Sequence, residues 1–200
     1  AAMGEALKAK AEAAWRGLHM LVTGLELGDQ LQLAALDATP EELSTDSASL
    51  EDAIITRPLQ TAGGVPWALI LHLHDHTERD FDPRAPFFAA AALAGLTTLA
   101  HRAGAPLVTS IAPHAAGISD WPGAPDTPPN PSEWTGLAPS IHDLRTDPAA
   151  DALCLTFPRF LARLPFGPDL DETDRFDFDE TAGTPSHSRM LWAPGPVLVG

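Results

Sequence analysis

The sequence predicts a layered α/β domain whose sheet is mainly parallel or mixed and is flanked by helices. Three neighbouring segments carry this expectation. Trp67 to Leu73, WALILHL, is apolar on both faces, as a strand covered by helices on each side requires. Pro86 to Ala103 is alanine-rich, offers Phe87, Leu93, Leu96 and Leu99 for burial, and is closed by Gly104. Pro106 to Ile111 supplies the next strand. Strand, helix and strand over this length form a βαβ unit, whose strands run parallel. A chain of 200 residues fits one domain, 1–200, and a hydrophobic share of 44% can fill its core.

The other elements follow in chain order. Glu5 to Val22 is an amphipathic helix with Leu7, Ala11, Ala14, Trp15, Leu18 and Val22 on the apolar repeat, and Trp15 is expected to anchor in the core. Gly24 and Gly28 end it. Gln30 to Leu36 alternates and favours a strand, with Leu31 and Leu33 on one face. Thr39-Pro40-Glu41-Glu42 starts a helix: a threonine cap, proline in the first turn and acids against the helix dipole. That helix is expected to reach about Ile55, and Gly63-Gly64 marks a turn. Pro113 to Pro131 is a proline-rich loop. Ser132 to Arg145 is a helix interrupted by Gly136 and Pro139, and Ala152 to Phe157 is a short apolar strand. Ser186 to Trp192 reads as helical and stops at Ala193-Pro194-Gly195-Pro196.

Composition excludes several function classes. A net charge of −15 argues against nucleic acid or an anionic membrane as partner, since both need a positive surface. The single cysteine, Cys154, allows neither an internal disulfide nor a cysteine-based zinc site, which suits a reducing cytoplasm. The first twenty residues lack a continuous apolar centre, so no signal peptide is expected. The longest apolar run, Ala85 to Leu96, is interrupted by Pro86 and is too short to cross a bilayer.

Chemistry is most strongly suggested by His72, His74, Asp75 and His76. A strand places His72 and His74 on one face about 7 Å apart, a spacing with which metal hydrolases present imidazoles to zinc. A metal-dependent hydrolase using His72, His74 and His76 is therefore the alternative reading. Against it, the metallo-β-lactamase pattern needs one more residue before the aspartate. Later ligands are poorly placed: His101 falls in a helix and His142 near another. Ser110 with His114, and Ser186-His187-Ser188, lack the Gly-x-Ser-x-Gly turn of a nucleophile. Cys154, between Leu153 and Leu155, reads as a small core residue. Gly63-Gly64 lacks the lysine and spacing of a phosphate loop. No cofactor and no catalytic residue is assigned.

The most distinctive stretch runs from Phe157 to Glu180. It opens apolar and basic with Arg159 and Arg163, turns through Leu164-Pro165-Phe166-Gly167, and continues into acids. Seven carboxylates and one arginine lie between Asp169 and Glu180, with Phe176 and Phe178 spaced among them. These acids do not fall in the register of an EF-hand. An arginine beside such a segment is expected to find a carboxylate, so Arg163 is expected to pair with an acid of Asp169 to Glu180, with Phe176 and Phe178 packing inward.

Leu161-x-Arg163-Leu164-Pro165-Phe166-Gly167, then acids, then Phe176-Asp177-Phe178-Asp179-Glu180, resembles the type VI secretion contractile-sheath large subunit. There the usual form is close to Leu-Arg-Leu-Pro-Tyr-Gly, an acidic spacer and Phe-x-Phe-Glu-Glu. Ala14 to Val22, AWRGLHMLV with Trp15, Arg16, Gly17 and Leu18, is nearly verbatim for that family. His187 with Leu191 and Trp192 matches its His-x-x-x-Leu-Trp. Phe166, Pro168 and Ala193-Pro194 depart from it, standing where tyrosine, lysine and Gly-Asn are common.

The resemblance implies a structural, non-enzymatic bacterial cytoplasmic protein. In that family the large subunit pairs with a small sheath subunit, and the pairs stack around an inner tube that contraction expels. Neighbouring sheath protomers are thus implied partners, with the baseplate or the disassembly ATPase as further ones. The family's large subunit is more than twice as long. The chain therefore corresponds to its N-terminal and middle part, as an excised domain, a shortened relative, or an adaptor that kept the fold. Self-assembly by this part alone is not expected.

Overall fold

The computed structural model describes residues 2–39, 42–43, 47–76, 89–111, 139–156, 160–163 and 191–193. They divide between two compact units, one of Ala35–Pro158 and one of Ala1–Ala34 with Arg159–Gly200.

The Ala35–Pro158 unit is the expected α/β structure. Its strands β1 (Ile70–His76), β2 (Leu107–Ile111) and β3 (Leu153–Thr156) form a sheet in the order β1-β2-β3, with both pairings parallel. Leu107 sits opposite Ile70 on one side and Leu153 on the other. All five residues of β2 are buried, which makes it the centre of the sheet. β1 begins three residues later than the apolar run suggests. Its ladder opens where the Ile70 N–H donates to the Pro106 carbonyl at 2.9 Å, so pairing with β2 sets its start. Trp67 lies just before the strand, half-buried against the core.

Helical segments lie in the same unit ahead of and between the strands. Thr39 and Glu42 form a reciprocal capping box. The Thr39 N–H donates to Glu42 Oε2 at 2.7 Å, and the Glu42 N–H donates to Thr39 Oγ1 at 3.2 Å. Further on come α2 (Ser47–Glu51), a π turn (Asp52–Thr56) and α3 (Arg57–Gln60), so this helical segment runs past the expected Ile55. α4 (Ala89–Ala103) buries Leu93, Leu96, Leu99, Ala100 and Ala103 with Leu50, Ile54, Ile55, Leu107 and Ile111. It ends in a Schellman motif. Gly104 has φ +68, its N–H reaches the His101 carbonyl at 3.1 Å, and the Ala105 N–H reaches the Ala100 carbonyl at 3.1 Å. α5 (Pro139–Thr146) starts at the proline that seemed to interrupt it, since proline suits a first helical position.

The other unit packs α1 (Ala2–Gly24) against an antiparallel pair, β4 (Phe160–Arg163) and β5 (Leu191–Ala193). Phe160 faces Ala193 and Leu161 faces Trp192, and the register shifts before Arg163 meets Leu191.

Four expectations change. Trp15 is 71% exposed, not a core anchor, because α1 turns its small residues Ala13 and Gly17 inward. Gln30 to Leu36 forms no strand: it runs without regular structure, and Leu31, Leu33 and Leu36 are exposed. Alternation alone provides no hydrogen-bonding neighbour. Leu191 and Trp192 are strand, not helix, because β4 offers an antiparallel partner. Cys154 is exposed, because the strand end that carries it is covered less than β2. Pro113 to Pro131 and Asp169 to Glu180 lie outside the described residues.

Candidate functional site

In an open α/β sheet the carboxyl ends of the strands are the usual place for a ligand. Here β1 ends at His76, β2 at Ile111 and β3 at Thr156. A polar line crosses the sheet toward that edge. The Thr109 hydroxyl donates to the His72 carbonyl at 3.1 Å and lies 3.3 Å from His72 Nδ1, and the Thr156 hydroxyl donates to the Thr109 carbonyl at 3.1 Å. These bonds satisfy buried groups and tie the strands together. The ladder is irregular between His72 and Asp75, which breaks the two-residue alternation on which a shared histidine face rests. The side chains of His74, Asp75 and His76 lie outside the described residues. Among the described residues, no three His, Cys, Asp or Glu side chains gather in a metal-holding group. Ser110 is fully buried and His114 lies outside the described residues. Among the described residues, these contacts hold the strands together.

A denser set of charged contacts lies between α1 and β4. Arg163 is placed by β4 and has a side chain only 9% exposed. Its Nε donates to Glu12 Oε1 at 2.8 Å and its second nitrogen to Glu12 Oε2 at 3.2 Å, a two-pronged grip. Arg16, one turn along α1, donates to the same Glu12 Oε1 at 2.8 Å. One carboxylate thus bridges two guanidinium groups and joins helix to hairpin. The Arg163 hydrogen bond holds the Glu12 carboxyl below its ordinary value of 4.5, with Arg16 adding to it and burial opposing both. Glu12 was not singled out in the sequence, where the acids of Asp169 to Glu180 are nearer Arg163; its signal was the i, i+4 pairing with Arg16. Whether those later acids also meet Arg163 lies outside the described residues.

The motif residues divide by role in this unit. Arg16 and Arg163 meet at Glu12, Gly17 is buried, and Leu191 and Trp192 form β5 beside β4. Arg159, Leu164 to Gly167, Phe176, Phe178 and His187 lie outside the described residues. Trp15 faces outward with Val22 and Leu25, and Leu18 between them is half-buried. Trp15, Leu18 and Val22, spaced three and four residues apart, line one stripe of α1, and Leu25 follows just past its end. Leu27, Leu31 and Leu33, beyond the helix in the same unit, are exposed as well.

Residues 5–199 match the VipB family model, described as the EvpB-type tail sheath N-terminal domain. The chain is 26% identical over 199 residues to the type VI secretion system sheath protein TssC1 of Pseudomonas aeruginosa, an alignment covering 91% of this chain. It spans 37% of the length of that relative.

Proposed function

The chain belongs to the VipB family of tail-sheath proteins, and from that membership we propose that it is a structural part of a type VI secretion contractile sheath. The observation that carries the proposal is the family match, which runs through nearly the whole chain from residue 5 to residue 199. The chain would serve as the N-terminal and middle part of a large subunit, binding a small sheath subunit and neighbouring protomers in the bacterial cytoplasm. Baseplate and disassembly ATPase are further proposed partners. Its work lies in interfaces and not in catalysis. No helix among the described residues is long and apolar enough to cross a membrane.

The exposed stripe of Trp15, Val22 and Leu25 supports this reading and is its proposed contact with the small subunit. Large aromatic and aliphatic side chains at such a stripe supply most of the energy of a helix-in-groove contact. The test is co-expression with the small sheath subunit of the same bacterium, followed by affinity capture and sizing. A stoichiometric complex is expected, weakened roughly tenfold or more by Trp15→Glu with Val22→Glu. Capture of the double variant as strong as that of the wild type would remove the stripe from the interface. Absence of any complex would count against the sheath reading.

A further inference from the structure

The helical segment from Ser47 to Gln60 changes register in its middle, at the π turn Asp52–Thr56. There the Arg57 N–H donates to the Asp52 carbonyl, five residues back, where α geometry would use Ala53. Such turns are rare and arise mostly as one inserted residue in an α-helix. Pro58 gives the physical reason. In a continuous α-helix its ring would press on the Ile54 carbonyl and offer that carbonyl no N–H. Two side-chain bonds repeat the five-residue spacing. Arg57 Nε donates to Asp52 Oδ2 at 2.6 Å, and the Thr61 hydroxyl donates to the Thr56 carbonyl at 3.1 Å.

Both ends of this turn are tied. On the near side, Arg102 of α4 grips Glu51 with two guanidinium nitrogens, and the grip raises the pKa of Arg102. On the far side, Gly64 lies against the backbone of α3. A Cβ there would stand 2.5 Å from the Arg57 carbonyl oxygen and 2.6 Å from that of Pro58. Three residues later the Trp67 indole N–H is buried and meets no acceptor among the described residues. A buried donor without an acceptor is uncommon and costly in a native structure. The π turn and the orphan donor therefore lie on one short segment, joined by the Gly63-Gly64 turn.

We propose that Pro58 is a register lock for residues 52–67: it holds them in the π register, and without it they relax into a continuous α-helix. One residue of register is about 100° of helix rotation. Relaxation from the anchored Glu51 end swings α3 by that amount, carries the buried Pro58 off the core and lifts Gly64 from its seat. The segment leading to Trp67 moves with it, which opens the indole N–H to water. The orphan donor marks the π register as the state that bears the cost. The proposal does not depend on the sheath reading.

The test uses the whole chain with Pro58→Ala and, separately, Trp67→Phe, read by amide hydrogen exchange and by NMR couplings across hydrogen bonds. Pro58→Ala is expected to move the Arg57 N–H bond from the Asp52 carbonyl to the Ala53 carbonyl. Exchange over residues 52–60 should slow by roughly fivefold or more, with α4 amides as the reference for global opening. Trp67→Phe keeps an aromatic side chain, though a smaller one, and removes the orphan donor, so the Asp52 bond should persist while exchange over residues 61–67 slows. Retention of the Arg57–Asp52 bond in Pro58→Ala would overturn the proposal, and so would unslowed exchange over residues 61–67 in Trp67→Phe.

Discussion

A buried guanidinium gripping a half-exposed carboxylate sits between two energetic regimes. A fully buried pair broken at one partner costs about 3–5 kcal/mol, and an exposed pair contributes about 0–1 kcal/mol. Arg163 is 9% exposed and Glu12 37%, and hydrogen bonds to charged groups contribute about 1.5–3 kcal/mol. Arg163→Ala is therefore expected to cost about 1–3 kcal/mol in denaturant unfolding. Glu12→Gln should cost less, and the two together less than their sum, because they share one contact. The pH dependence follows from the lowered pKa of Glu12. Its stabilisation is fully present above the ordinary value of 4.5 and is lost as pH falls below it. Glu12→Gln should thus lose less stability than the wild type on acidification through that range, and equal acid sensitivity would contradict the pairing. That Arg163 needs a carboxylate was legible from residue type alone. That the described carboxylate is Glu12 was not, since 151 residues separate the two and only the folded hairpin brings them together.

At the scale of elements, α4 and α1 behave oppositely toward their apolar residues. α4 presents Leu93 to the core at 1% exposure, so Leu93→Ala is expected to cost about 2–5 kcal/mol through lost contacts and a cavity. Trp15 on α1 is 71% exposed, and Trp15→Ala should change stability by no more than about 0.5 kcal/mol. A large cost for Trp15→Ala would restore it to the core, where its periodicity had placed it. The two glycines of the α4 region separate in the same way. Gly95 lies on the exposed face with nothing within 4 Å of an added Cβ, so Gly95→Ala should stabilise by about 0.5–1 kcal/mol. Gly104, at φ +68, should lose about 1–2 kcal/mol on the same substitution. Thermal or denaturant unfolding of the pair checks both signs at once. The βαβ unit was legible because its apolar runs and its Gly104 stop agree with the pairing observed. Gln30 to Leu36 and Leu191-Trp192 were misread because alternation and short apolar pairs do not say whether a neighbouring strand exists.

At the scale of the molecule, net charge of −15 and an exposed apolar stripe work together. Like charge opposes association and exposed apolar side chains favour it, so contacts of this chain are expected to centre on the stripe. Three short blocks spread from Ala14 to Trp192 made the family legible in sequence, since their order and spacing are more specific than any local pattern. The exposure of Trp15 and Val22 was not legible, because both read as core by periodicity and face outward in the fold. The most direct measurement is photo-crosslinking from a benzophenone amino acid placed at position 15, in the bacterium with its secretion genes intact. The expected result is a specific adduct with the small sheath subunit, lost when that subunit is deleted. Adducts with other proteins and none with any sheath subunit would contradict the account.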